Sequence, residues 1–285
     1  MGGGTWTKKD FVTYSCSVGK SMETNGTVSL DGMSVQDMYK SVRLNASLNP
    51  YNVMRECRDS EEHPNTIPVI LALDVTGSMG STAMVVASEL NTVMTNLFSS
   101  AKDVEFLVMG IGDLAYDTSP IQASQFESDI RIAEQLDKIY FEGGGGGNNF
   151  ESYTAAWYFA ARHTDLDCWK RGKKGILITM GDEFLNPYLP AKPLAEVTGD
   201  GVQEDISTAS LYVEARKKYD IYHIHVDHRQ WGRGGEELKK SFTSILEDQH
   251  FISVGVDKVA DTIVDIVTKS SAGTTEPTQT GGISW

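Results

Sequence analysis

Apolar runs and stretches of helical period alternate through most of the chain. Val69 to Leu73, Glu105 to Ile111, Gly175 to Met180, Ile221 to Val226 and Phe251 to Val254 are short, apolar and rich in β-branched residues, which predicts buried strands. Between them, Ser81 to Phe98, Asp129 to Ile139, Ser152 to His163, Ile206 to Tyr219 and Glu236 to Glu247 carry apolar residues at helical spacing, and Val259 to Thr268 follows the last strand. Strands that alternate with helices of this length specify an α/β fold, a mostly parallel sheet covered on both faces.

The flanks read differently. Residues 1 to 65 are polar and irregular, with one helix predicted from Ser34 to Leu48 and a charged segment, Arg55 to Asn65, broken by Pro64. They are expected to form an extension packed on a domain spanning 66 to 270. Asp59 to Glu62 is expected to be a solvated linker, and residues 271 to 285, nearly free of apolar side chains before Trp285, a flexible tail.

Charge narrows the partners. Acidic residues outnumber basic ones 39 to 25, a net charge of −14 that repels phosphate backbones and anionic membranes, so neither nucleic acid nor a membrane is expected as a partner. Met1 to Trp6 lacks an apolar signal region, and no run approaches the roughly 18 apolar residues of a membrane span. Cys16, Cys57 and Cys168 are odd in number and widely spaced, which suits free thiols and predicts a cytoplasmic setting.

The chemistry gathers at strand ends. The run Ile67 to Leu73 finishes in Asp74-Val75-Thr76-Gly77-Ser78, a carboxylate and two alternate hydroxyls, hard oxygen ligands suited to a small divalent cation. Ile176 to Met180 leads to Gly181-Asp182, whose carboxylate would lie beside Asp74 in a parallel sheet. Between the two, Gly143 to Gly147 can bend tightly around a bound group before Asn148-Asn149-Phe150-Glu151.

Asp74 to Ser78 resembles Asp-x-Ser-x-Ser, the signature of von Willebrand factor A domains and their metal-ion-dependent adhesion site, with Thr76 in place of a Ser. The resemblance covers roughly residues 66 to 270, and Gln125 to Asp129 and Ala161 to Thr164 are similar to bacterial stand-alone proteins with this domain. It implies a Rossmann-like fold with a six-stranded central sheet. It also implies Mg²⁺ (or Mn²⁺ or Ca²⁺) held by Asp74, Thr76 and Ser78 of a first loop, Asn148 of a second and Asp182 of a third. The family usually has Gly-Gly-Thr where this chain has Gly146-Gly147-Asn148, so Asn149, Glu151 and Ser152 stay open as second-loop ligands. The implied function is a non-enzymatic protein-interaction module. Its cation would grip an Asp or Glu of a partner protein, in bacterial relatives often in an AAA+ ATPase or kinase-linked system.

Other readings compete. A haloacid-dehalogenase-like phosphohydrolase would use Asp74 as nucleophile, but needs a second acid where Thr76 stands. A structural scaffold with a vestigial metal site is the third. The glycine run fails as a dinucleotide fingerprint at Asn148, and Gly19-Lys20-Ser21 fails as a phosphate loop at Tyr14 and is expected to be a surface turn. His223, His225 and His228 beside Asp227 have the alternation of a zinc site, yet a strand inside the sheet predicts hydrogen-bonded core histidines. Asp113 closes a strand and is expected either to line the crevice or to cap a turn.

Overall fold

A computed structural model describes residues 4–101, 103–143, 150–227 and 235–272. Six strands form the central sheet: β1 (Ile67–Asp74), β2 (Val104–Ile111), β3 (Ile121–Ala123), β4 (Gly175–Gly181), β5 (Tyr219–Val226) and β6 (Phe251–Val254), in the order β6-β5-β4-β1-β2-β3. All neighbours are parallel except β3, which pairs antiparallel with β2 through Met109 and Ala123. The sheet is therefore mixed. At three residues, β3 is too short to show a period, which is why the hydropathy pattern passes over it.

Helices α1 (Gly80–Ser100), α2 (Tyr153–Arg162), α3 (Thr208–Ala215), α4 (Gly235–Thr243) and α5 (Val259–Ala272) cover both faces. Strand alternation divides the core. Val69, Leu71 and Leu73 of β1 join Val86, Leu90 and Val93 of α1 and Ile263 of α5. Ile70 and Ala72 point the other way, to Trp157 of α2, Leu211 of α3 and Phe242 of α4. Each such side chain, taken fully out of water, contributes roughly 1.5–3 kcal/mol, so the ends of these strands are rigid platforms for the loops beyond them.

The N-terminal segment packs on the first face. Phe11, on a helix Lys8–Ser17, is buried with Trp6, whose Nε1 donates to Asn91 Oδ1 of α1 at 3.3 Å, and the Tyr39 hydroxyl donates to the Ala83 carbonyl at 2.6 Å. The predicted helix Ser34–Leu48 shrinks to Val35–Met38 and a 3₁₀ turn Ala46–Leu48. Ser34 and Asp37 close a capping box, but Tyr39 turns extended and Ser41 bridges Tyr140, so tertiary contacts override the local period. Lys20 is no ordinary turn residue: its ammonium is buried against Asp137, which also accepts from the Tyr14 hydroxyl at 3.0 Å. Ser60 to Glu62 are exposed, as a solvated linker would be, but the stretch is held at its two ends: Asp59 accepts from Thr66 Oγ1 at 2.8 Å and pairs with Arg171, while Glu62 accepts from the Gly4 N–H at 2.7 Å.

Helix α5 extends through Ser271, whose hydroxyl donates to the Val267 carbonyl at 2.7 Å; the rest of the expected tail lies outside the described residues. Among the described residues no helix is long and apolar enough to cross a membrane.

Candidate metal centre

Asp74 sits at the C-terminal tip of β1 with no exposed surface. Its Oδ1 accepts from the Thr76 N–H at 2.9 Å and the Thr76 hydroxyl at 2.6 Å, a turn that closes because Asp side chains bond readily two residues ahead. Its Oδ2 accepts from the Tyr153 hydroxyl at 3.0 Å. A 3₁₀ turn Gly77–Met79 then leads into α1 and leaves Ser78 exposed, its hydroxyl donating to Asp182 Oδ1 at 2.9 Å. Two loops 104 residues apart in sequence thus meet at one point.

Gly181 makes the meeting sterically feasible. A Cβ there would lie 1.8 Å from the Tyr153 hydroxyl, so only glycine lets that ring pass between β4 and Asp74. The same Tyr153 oxygen accepts from the Glu183 N–H at 3.2 Å, fixing the third loop to the first.

The electrostatics of the crevice are one-sided. Burial raises the Asp74 carboxyl to about 7, opposed by the bonds from Thr76 and aided by the charge of Asp182. Burial, then Asp74, Asp117, Asp113 and Glu183, push Glu151 up to about 10. Glu183 rises to about 6 through burial and Asp182. The leading influences on these three groups include no lysine or arginine, and Glu151 Oε2 is buried without a hydrogen-bond partner among the described residues.

Asp74, Thr76, Ser78 and Asp182 are therefore brought together, whereas Asn148 and Asn149 lie outside the described residues. Ser152 accepts from the Leu114 N–H at 3.0 Å and so anchors the loop after β2, while Glu151 faces the carboxylates of the crevice. Asp113 caps its own turn, accepting from the Ala115 N–H at 2.7 Å. Tyr153 and Glu183 are site residues that the sequence reading missed. Tyr153 sits inside an apolar helical stretch that reads as core, and the only local signal for Glu183 is its place beside Asp182.

His223 is fully buried, bonded through Nδ1 to Thr179 Oγ1 at 2.9 Å and stacked on Phe242, and burial pushes its proton affinity down, so it is a neutral core group. His225 is half-buried and stacks on Phe251; His228 lies outside the described residues. No group of three or more His, Cys, Asp or Glu side chains that could hold a metal ion lies among the described residues.

No protein family and no curated protein matches the chain. Solved structures are similar at low identity. The pilus adhesin SpaC from Lactobacillus rhamnosus GG aligns at 12% identity and TM-score 0.49, over 77% of this chain and 31% of the adhesin. The vWF domain of the type V pili tip protein Mfa5 from Porphyromonas gingivalis aligns at 12% identity and TM-score 0.44, over 74% of this chain and 97% of that domain. Proximal thread matrix protein 1 from the mussel byssus aligns at 12% identity and TM-score 0.46, over 74% of this chain and 49% of that protein. The chain spans about a third of the length of SpaC. At these scores the likenesses carry no functional weight, and the fold assignment stands on the sheet order itself.

Proposed function

We propose that this chain is a divalent-metal-dependent protein-interaction module of the von Willebrand factor A type. Asp74, Thr76, Ser78 and Asp182 would hold Mg²⁺, Asn148 would complete the set, and a carboxylate of a partner protein would be the outside ligand. The observation that carries the reading is the Ser78 hydroxyl at 2.9 Å from Asp182 Oδ1, beside a buried Asp74 already bonded to Thr76. The donor set fits the ion. An ionised carboxylate only accepts, so both hydroxyls spend their protons on Asp182 and Asp74 and keep oxygen lone pairs for a cation. The unpartnered Glu151 oxygen and the raised carboxyls are the mark of a crevice short of positive charge.

When bound, the cation supplies local positive charge that an acidic partner can approach despite the net charge of −14. Thr76 and Ser78 are neutral ligands and cancel none of that charge; Tyr153 holds Asp74 in place. The same reading takes 66 to 270 as the domain and 1 to 65 as its packed extension. A reducing, cytoplasmic setting suits the three free thiols Cys16, Cys57 and Cys168. A phosphohydrolase would need a second acid two positions after the nucleophile, where Thr76 stands. Calorimetric titration with Mg²⁺ and Mn²⁺ tests the site: the parent should give saturable heat that Asp74→Ala loses. Absence of heat in the parent with both ions would leave a scaffold.

A further inference from the structure

A second polar centre lies at the β3 edge of the sheet, where the N-terminal segment folds over. Arg55 is only 6% exposed, yet among the described residues no carboxylate stands within ion-pair distance of it. Its Nη2 donates to the Ser47 carbonyl at 2.9 Å and the Ala123 carbonyl at 2.8 Å, and its Nε is buried without a hydrogen-bond partner. Burial alone shifts its proton affinity, downward, so no neighbouring acid compensates the charge. An unpaired buried guanidinium is costly, and a chain with 39 acidic residues has left it unpaired.

Arg55 lines a cavity of about 360 Å³, at the small end of the range for ligand sites. Arg131, in the same wall, is neutralised by Asp129 at 2.8 Å and Glu127 at 3.0 Å. Counted together, Arg55, Arg131 and Lys138 face Glu127, Glu134 and Asp129, so the charges balance, but the carboxylates stand at Arg131 and none is within ion-pair distance of Arg55 among the described residues. The amides of Gln125 and Gln135 share the wall, so the cavity beside Arg55 is polar.

We propose that this cavity binds a small organic oxyanion, a carboxylate or a phosphomonoester, with Arg55 supplying the buried charge and Lys138 closing on it from the rim. The volume suits a small acid, and the guanidinium, already fixed by two carbonyls, loses little freedom on binding.

The test is calorimetric titration of the full chain with inorganic phosphate and, separately, succinate, at ionic strength matched with sodium chloride. Saturable binding of one ligand per chain is expected, and the probe that binds more tightly identifies the class. Arg55→Gln should weaken it by about tenfold or more, Lys138→Gln by roughly threefold, and Glu134→Gln should tighten it. Arg55 also ties Ser47 to Ala123, so Arg55→Gln may only be read if it folds; Lys138→Gln, at the rim, decides the matter otherwise. No saturable heat with either probe, or unchanged affinity in the variants that fold, would overturn the site and leave Arg55 a structural tie.

Discussion

Two clusters of carboxylates on this molecule respond to the fold in opposite ways. At the junction of the N-terminal segment with the domain, Arg58 reaches Glu56 and Asp165 at 2.5 Å and Asp167 at 3.1 Å, and Lys170 stands 2.9 Å from Asp167. The Arg58 bond holds Asp165 below the usual carboxylate range, and Lys170 and Arg58 do the same for Asp167 against the raising effect of burial. In the crevice Asp74, Glu151 and Glu183 all move upward. The first cluster is paired with cations of the chain; among the described residues the leading influences on the second include hydrogen bonds to Asp74 from Thr76 and Tyr153 but no lysine or arginine.

The contrast is broken most severely by pH. Folding raises the proton affinity of Asp74 and Glu151, so the folded chain holds protons that the unfolded chain has released. Their contribution to stability is full below about pH 4 and is lost as pH rises through about 7 for Asp74 and onward for Glu151. In chelator, the denaturation free energy of the parent should fall by roughly 3 kcal/mol more than that of Asp74→Asn between pH 4 and 8. Saturating Mg²⁺ should remove most of the difference. Parallel pH curves for the two proteins would mean that Asp74 is not under strain.

Tyr153→Phe comes next. It removes the bond to Asp74 and the acceptor for the Glu183 N–H, which should cost about 1–3 kcal/mol and weaken Mg²⁺ binding by roughly 10–100-fold, read by denaturant melts and calorimetry. Arg58→Ala should cost less, about 1 kcal/mol at low salt, with the loss shrinking as salt is added and Mg²⁺ binding unchanged. Lys170→Ala, whose side chain is 55% exposed, should change stability least of the three. A loss larger than that of Arg58→Ala would show that the paired cluster is centred on the wrong cation.

What could be read from sequence follows from how local each signal is. β1 and β4 announce themselves as apolar runs leading to Asp, so the meeting of Asp74, Thr76, Ser78 and Asp182 at neighbouring strand ends is legible in the sequence. β3 and the helix Lys8–Ser17 were not: one is three residues long, and the other buries little beyond Phe11 and Ser15. Tyr153 was hidden because a buried tyrosine and a positioning tyrosine share the same helical pattern, and only the tertiary gap opened by Gly181 tells them apart. Arg55 opens a stretch that reads only as a charged segment; its burial depends on carbonyls at Ser47 and Ala123, the latter 68 residues away.

The Arg55 bond to the Ala123 carbonyl has one more effect. β3 is the last strand on its side, and an outward-facing peptide oxygen there would invite another polypeptide to add on. With that acceptor occupied by the segment ahead of the sheet, a truncated chain starting at Thr66 should self-associate more than the whole one.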